Sequence, residues 1–213
     1  MHNITFISTI HKEAGKCSPD ELHLIIQQIR PDVIFLEALE DTYSEYQKHI
    51  FENFGVFNDK LEIAAIQQYS NHASFEYVPV LDSGLTDSFD NKYNSPCMDR
   101  DPELNEILYK LETQTQELGF KFLNSLECIE LNELMRERES QLLAGSEVDA
   151  AAKADIDSYE NSMIRNIYNY CKINQFNTGI FMVGSAHRKS IIEKIEKFRL
   201  EDDVCINWKL LEI

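Results

Sequence analysis

Short apolar runs rich in β-branched and aromatic residues lie near both ends of the chain. They predict five strands, at 4–9 (ITFIST), 32–38 (DVIFLEA), 75–82 (FEYVPVLD), 178–186 (TGIFMVGSA) and 204–212 (VCINWKLLE). Three of these runs are apolar almost throughout, as expected for strands that are covered on both faces of a parallel sheet. Pro79 interrupts the third run and indicates a strand at a sheet edge or an irregularity in the strand, because proline cannot donate to a ladder.

An amphipathic helix is predicted between the first two strands. Ser18 is suited to cap its N-terminus, Pro19 to its first position, and Glu21 to complete a capping box. Apolar residues then recur at helical spacing, at Leu22, Ile25, Ile26 and Ile29. Pro31 ends the helix. Strand, helix and strand in this order predict a parallel, right-handed βαβ unit.

The middle of the chain reads as helical. Helices are predicted near 39–53 and 58–71, over 103–174 with breaks near Gly119 and Gly145, and over 189–200, with a polar, turn-rich loop at 83–102. We therefore expect an α/β fold with a mostly parallel sheet, flanking helices, and a large helical insertion between the N- and C-terminal strands. The chain is treated as one domain, 1–213, made of a βαβ half (1–82), a loop and helical insertion (83–175) and a C-terminal core part (176–213).

Charge and cysteine content narrow the classes of partner. The chain has 213 residues and a formal net charge of −17. Such a surface repels phosphate groups, so neither nucleic acid nor a membrane is expected as a partner. Five dispersed cysteines without a C-x-x-C spacing are typical of reduced thiols. The N-terminus lacks the pattern of a signal peptide, and a cytoplasmic location is expected.

Two strand ends carry the same pattern. Ser8-x-x-His11 follows the first strand and Gly184-x-x-His187 the fourth, while Glu37 ends the second. In open α/β sheets, ligand sites form beyond the carboxyl ends of the strands, where all three side chains would meet. Two imidazoles and a carboxylate suit a divalent metal ion such as Mn, Co, Zn or Fe. They equally suit a metal-free pair in which a histidine activates water. A polar residue at a strand end can also be merely where the chain meets solvent.

The paired motifs resemble those of the TraB/PrgY/GumN and Tiki superfamily, which is distantly related to erythromycin esterase-like and ChaN-like proteins. RPDVIFLEA is similar to the family's P-D-x-v-x-x-E, and LEIAAIQQYSNHASFEYVPVLD to its E-x-A-A … v-x-x-x-D segment. NSMIRNIYNY … GIFMVGSAHRKSI is similar to the closing M-x-x-x-I … v-V-G-x-x-H segment. The similarity covers about 1–82 and 159–192.

The resemblance implies a site built from His11, Glu37, Glu62 and His187. Ser8 stands where the family usually has glycine. Tyr159 stands near the place where members often carry an arginine, and Arg165 is the nearest arginine and a further candidate. For Glu62 the helical pattern alone favours an exposed position, because Leu61, Ala64 and Ala65 form the expected packing face, whereas the resemblance places Glu62 in the site.

The sequence therefore predicts a metal-dependent hydrolase of the peptidase type, acting on an amide or ester bond, with His11, Glu37 and His187 as metal ligands. Its substrate would be a peptide or a small ester or amide. Two alternatives stay open. One is a metal-independent, erythromycin esterase-like hydrolase with a His/Glu-activated water; the other is a non-catalytic protein that binds a peptide, haem or a metal. Self-association into a homo-oligomer is also open.

Overall fold

The computed structural model describes residues 1–39, 60–87, 91–92, 95–144 and 146–212. The helix predicted near 39–53 and the break at Gly145 lie outside these residues. The remaining elements can be compared with their predictions one by one.

A five-stranded, all-parallel sheet forms the centre of the molecule. Its strands are β1 (His2–Thr9), β2 (Val33–Leu39), β3 (Glu76–Leu81), β4 (Thr178–Gly184) and β5 (Ile206–Leu210). The order across the sheet is β3-β2-β4-β1-β5. The α/β class with a parallel sheet is confirmed, and β3, which contains Pro79, lies at an edge as predicted.

The first two strands are parallel but do not pair with each other. β4 lies between them, with Phe6 opposite Phe181 on one side and Phe35 opposite the same Phe181 on the other. The predicted βαβ unit is therefore a crossover that leaves room for one more strand. As a result, β4, which leads to His187, lies between the strand that leads to His11 and the strand that contains Glu37.

Helices cover both faces of the sheet. They are α1 (Pro19–Ile29), α2 (Leu61–Ser70), α3 (Pro96–Asp99), α4 (Pro102–Leu118), α5 (Phe120–Leu123), α6 (Leu126–Leu142), α7 (Glu147–Ile173) and α8 (Arg188–Glu201). Helices α3 to α7 lie between β3 and β4, which confirms the helical insertion. Part of the predicted 83–102 loop is the short helix α3, whose formation is helped by Pro96 at its first position.

Alternating strand residues supply two hydrophobic cores. Ile7, Ile34 and Met182 face one side and pack with α1, α2 and α5. Phe6, Phe35, Val183 and their neighbours face the other side and pack with α7 and α8. Burial on both faces explains why these strands are apolar throughout, and it fixes the register that brings their polar terminal residues to one edge.

The start of α1 forms as predicted in one respect and differs in another. Ser18 accepts a hydrogen bond from the backbone N–H of Glu21, and Pro19 begins the helix. The carboxylate of Glu21, however, accepts a hydrogen bond from the backbone of Phe120. The capping box is therefore half formed, because the helical insertion offers Glu21 a different donor.

The predicted break at Gly119 is present. Its φ of 59° and ψ of −138° are accessible to glycine and costly for other residues. An added Cβ would lie 2.5 Å from Glu21 Oε2 and 3.0 Å from the carbonyl oxygen of Lys16. Gly119 thus allows the chain to turn from α4 into α5 directly against the β1–α1 connection.

Two further sequence predictions can be compared with the described residues. No helix among them is both long and apolar enough to cross a membrane. All five cysteines are free thiols, as predicted.

Candidate functional site

The carboxyl ends of β1, β2 and β4 bring three of the predicted residues to one edge of the sheet. His11 lies two residues after the end of β1, and Glu37 lies near the end of β2. His187 ends the 3₁₀ turn Ser185–His187, which follows β4. The Nε2 atom of His187 lies 3.8 Å from Glu37 Oε1. The charge of Glu37 also acts on His11. The predicted convergence of the strand ends is therefore present.

Glu37 is buried and held by two donors. Its Oε1 accepts a hydrogen bond of 2.6 Å from the hydroxyl of Tyr159, and its Oε2 accepts one of 2.8 Å from the backbone N–H of Gly184. Burial, followed by the charge of Glu37, raises the pKa of the Tyr159 hydroxyl, so this hydroxyl stays protonated and donates. The carboxylate is fixed in position from two sides.

His187 is paired with a second buried carboxylate, Glu160 on α7. Its Nδ1 lies 2.7 Å from Glu160 Oε1. Burial alone would raise the pKa of Glu160, but the hydrogen bonds from His187 and Ser190 and the charge of Lys194 lower it. An ionised Glu160 requires the proton of a neutral His187 to be on Nδ1. The Nε2 lone pair then faces Glu37.

His11 forms a separate pair with Glu62. Its Nδ1 lies 3.1 Å from Glu62 Oε1, which also accepts a hydrogen bond of 2.7 Å from the hydroxyl of Thr9. The hydrogen bond with Glu62 outweighs partial burial and raises the pKa of His11. The imidazole side chain is 48% exposed, whereas that of Glu62 is 2% exposed. His11 is thus a proton-carrying group at the surface of the site.

The expectation of an exposed Glu62, drawn from the helical pattern alone, is wrong. Leu61, Glu62 and Ile63 are all buried, while Ala64 is only half-buried. The physical reason is that α2 begins directly beside the end of β1, where the backbone N–H of Leu61 donates to the carbonyl of His11 over 2.8 Å. Leu61, Glu62 and Ile63 in the first turn of α2 are therefore covered by the rest of the protein.

The His11–Glu62 pair predicts a pH dependence of stability. Because the folded pKa of His11 is raised above about 6.5, the pair stabilises the fold fully below about pH 6.5, and this contribution is lost as pH rises through the folded pKa. We expect the difference in unfolding free energy between the wild type and His11→Gln to shrink between pH 6 and pH 9. Urea unfolding of both proteins at several pH values between 6 and 9 measures this difference in unfolding free energy. A difference that grows with pH would contradict the pairing.

A cavity of about 230 Å³ opens beside these groups. Its polar lining includes His11, Glu37, Tyr159 and Lys60. The rest of the wall is mostly aliphatic, from Leu36, Leu39, Ile63, Leu81 and Leu85. It is a concave site in which aliphatic side chains adjoin a few convergent polar groups, as in sites that small ligands occupy.

A buried arginine connects the two histidine-bearing strand ends. Arg188 directly follows His187 and is 3% exposed. It donates to Ser8 Oγ over 3.0 Å and to Asn124 Oδ1 over 2.9 Å. Asn124 also accepts from the backbone N–H of Ser8 over 2.8 Å and donates to its carbonyl over 3.1 Å. This network fixes the end of β1 relative to the turn after β4.

Comparisons with known proteins give little beyond the geometry. No family model matches the chain, and no curated protein matches it. A crystal structure of a protein from Bacillus cereus is similar at 11% identity, with a TM-score of 0.37. The match covers 98% of this chain and 64% of the Bacillus cereus protein. A likeness of this size carries no argument about function.

Arg165 is not brought into the group around His187. It pairs with Asp82, which follows β3, and Asn166 also donates to Asp82 over 2.7 Å. Asp82 directly follows the edge strand β3, where α7 engages it. Arg165 and Asp82 therefore form a contact between α7 and β3.

As they are placed, His11, Glu37 and His187 do not form a metal-binding group. Within the described ranges, no group of three or more His, Cys, Asp or Glu side chains is placed to hold a metal ion. His11 and His187 each hold a carboxylate through Nδ1, Glu62 for His11 and Glu160 for His187, while Tyr159 and Gly184 hold Glu37. No chemical step through a metal is derived from these residues.

The helical insertion supplies functional groups that the sequence did not reveal. Tyr159 and Glu160 come from α7, Asn124 follows α5, and Arg136 on α6 donates to the carbonyl of Ala186 beside His187. Glu160 was part of an acidic run, 127–160, that reads as a solvated helical face. The one available signal is at Tyr159, which stands near the place where members of the resembled family often carry an arginine.

Proposed function

We propose that the protein is a hydrolase that cleaves an amide or ester bond with a water molecule activated by His187. The observation that carries this proposal is the placement of His187 between two carboxylates. Its Nδ1 is held by Glu160 at 2.7 Å and its Nε2 faces Glu37 Oε1 at 3.8 Å. A histidine oriented by a buried carboxylate is the arrangement of a general base.

The first step assigned to these residues is proton removal from water. A separation of 3.8 Å is too long for a direct hydrogen bond but allows one water molecule to contact both Nε2 of His187 and Oε1 of Glu37. His187 accepts the proton as the water oxygen attacks the carbonyl carbon. Glu160 stabilises the resulting imidazolium because it is ionised although it is buried.

The second step is protonation of the leaving group. His11 lines the cavity together with Glu37, and Glu62 raises the pKa of the imidazole. A protonated His11 can donate to the leaving nitrogen or oxygen and be reprotonated from solvent, because it is half exposed. Two histidines with different environments thus take the roles of acid and base. Tyr159 keeps Glu37 in place throughout.

Membership in the TraB/PrgY/GumN and Tiki superfamily is part of the proposal. It is supported by the positions of His11, Glu37, Glu62 and His187, which the motifs mark and which lie at one edge of the sheet. Of the family's reaction types, we propose the metal-independent one, because within the described ranges no three His, Cys, Asp or Glu side chains are placed to hold a metal ion.

The decisive experiment measures turnover of a panel of esters, lactones and short peptides by the purified protein, with and without a chelator, together with its metal content. We expect turnover that a chelator leaves unchanged. Activity that is lost on chelation and restored by Mn²⁺, Co²⁺, Zn²⁺ or Fe²⁺ would instead establish the metal-dependent peptidase. Tight binding without turnover across the panel would establish a non-catalytic binding protein.

A further inference from the structure

A third charged group lies behind the pair formed by His187 and Glu160. Lys194 is on α8, and its side chain is only 11% exposed. Its Nζ lies 3.2 Å from Glu160 Oε2, 3.0 Å from Ser190 Oγ and 2.7 Å from Asp157 Oδ1. Lysine is rarely enclosed to this extent unless its charge is matched. Lys194 thus reaches inward to a carboxylate that already contacts a histidine.

The two oxygens of Glu160 have separate partners. Oε1 faces Nδ1 of His187 at 2.7 Å, whereas Oε2 accepts a hydrogen bond from the hydroxyl of Ser190 and contacts Lys194. The last torsion angle of a glutamate side chain is only weakly restricted, so one partner alone does not fix the carboxylate. Because Oε2 is held by two residues of α8, Oε1 is left in one place, and the imidazole that contacts Oε1 is oriented with it.

The charge of Lys194 matters as much as its contacts. Glu160 is 1% exposed, and an ionised carboxylate in such a place is costly unless a cation compensates it. A neutral His187 and Ser190 supply hydrogen bonds but no charge. Among the described residues, Lys194 provides the only lysine or arginine nitrogen within 4 Å of the Glu160 carboxylate. A negative Glu160 beside a neutral His187 therefore depends on Lys194.

The other histidine–carboxylate pair is built differently. Thr9 and His11 contact Oε1 of Glu62, and Glu62 Oε2 has no hydrogen-bond partner among the described residues. A lysine behind the carboxylate thus distinguishes the histidine to which we assign the role of base from the histidine to which we assign the role of acid.

We propose that Lys194 is a positioning residue of the hydrolase, which holds Glu160 charged and in one orientation so that His187 presents Nε2 to the water beside Glu37. This inference rests on the proposed function and identifies what supports its general base. Lys194 is not among the residues that line the cavity beside His11. Its replacement should therefore lower kcat, which reports the chemical step, and leave KM unchanged.

The first arm of the test is kinetic. On the best substrate of the ester, lactone and peptide panel, Lys194→Met should lower kcat by about tenfold to a hundredfold, because a displaced catalytic group can cost this much. Lys194→Arg keeps the charge and should retain most of the kcat. Lys197→Met is the matched control, since Lys197 is an exposed lysine on the same helix, and it should behave as the wild type.

The second arm shows whether the effect passes through Glu160. In Glu160→Gln, the charge that Lys194 compensates is absent. Adding Lys194→Met to Glu160→Gln should therefore cause little further loss of kcat, since residues that act as a unit have effects that do not add. A loss by the same factor in both backgrounds would overturn the inference.

The third arm needs no substrate. The Nδ1–H proton of His187 contacts a buried carboxylate and should give a separate downfield proton NMR signal, which is assigned by its absence in His187→Ala. We expect this signal to move or broaden in Lys194→Met and to stay in place in Lys194→Arg and Lys197→Met. An unchanged signal would reduce Lys194 to a packing role and overturn the inference. Lys194→Gln, which keeps a donor but no charge, replaces Lys194→Met if urea unfolding shows that Lys194→Met is not folded.

The outcomes separate this inference from the proposed function. Turnover by the wild type with an unchanged kcat in Lys194→Met would overturn the inference and leave the hydrolase standing. No turnover by the wild type, with a His187 signal that moves in Lys194→Met and not in Lys197→Met, would support the positioning role and overturn the hydrolase. Absence of both effects would overturn both. A raised KM at unchanged kcat would show that Lys194 contacts the substrate, and this result would also overturn the inference.

Discussion

Replacing His187 with alanine is expected to lower kcat/KM for hydrolysis by a factor of about 10²–10⁴, the usual contribution of a positioned general base. His187 has its Nδ1 held by Glu160 and its Nε2 directed at Glu37, so its replacement removes the base that Glu160 positions. Initial rates on the best substrate of the panel, measured at several pH values, give the comparison.

The matched control for this variant is His72→Ala. His72 is an exposed histidine just after α2 and is not part of the site, so its replacement should leave kcat/KM unchanged. Glu160→Gln is a useful companion, because the amide oxygen can still accept from Nδ1 while the charge that stabilises the imidazolium is lost. The kcat/KM of Glu160→Gln should be lower than that of the wild type. Full activity in both His187→Ala and Glu160→Gln would contradict the mechanism.

Replacing Asn124 with alanine is expected to lower the free energy of unfolding by about 2–4 kcal/mol. The side chain of Asn124 accepts from the backbone N–H of Ser8 and from the guanidinium of Arg188, and both donors would be left without this partner. Arg188 is 3% exposed, and an N–H of a buried cation that loses its acceptor is especially costly. Urea unfolding monitored by fluorescence of Trp208 provides the measurement.

A second asparagine offers the comparison for this variant. Asn132→Ala removes an amide that donates to the carbonyl and the sulfur of Cys128 on the same helix, α6. This contact is local, so we expect a loss smaller than that for Asn124→Ala. Equal losses would show that the network between Ser8 and Arg188 contributes no more than an ordinary buried hydrogen bond. Arg188→Lys, which keeps the charge but not the planar donors, should lie between the two.

The strands and most helices could be predicted because their signals are local. The apolar runs around Phe6, Phe35 and Phe181 are covered on both faces of the sheet, and such runs have few alternatives to a buried strand. His11, Glu37 and His187 could be placed at one edge for the same reason, since parallel strands share a direction. The cap at Ser18 depends on neighbours a few positions away, and it also formed as predicted.

The supporting groups of the site could not be predicted in this way. Glu160 lies 27 positions from His187, and Tyr159 lies 122 positions from Glu37. Their roles depend on how α7 packs across the sheet, which no local pattern specifies. On a helix, an acidic residue that supports a histidine has the same sequence appearance as one that faces water. Glu62 was misjudged for a related reason, because helical periodicity does not show what encloses the first turn of a helix.

The strand order also has a consequence for synthesis on the ribosome. β1 pairs only with β4 and β5 among the described strands, and β4 begins at Thr178. A nascent chain that has released β1 therefore holds an apolar strand whose native neighbours, β4 and β5, follow only after the helical insertion, whereas β2 can already pair with β3. Contacts of such large sequence separation are slow to form. β1 is thus exposed to chaperones and to aggregation while the helical insertion is being synthesised, and the sheet is completed only when β4 and β5 follow.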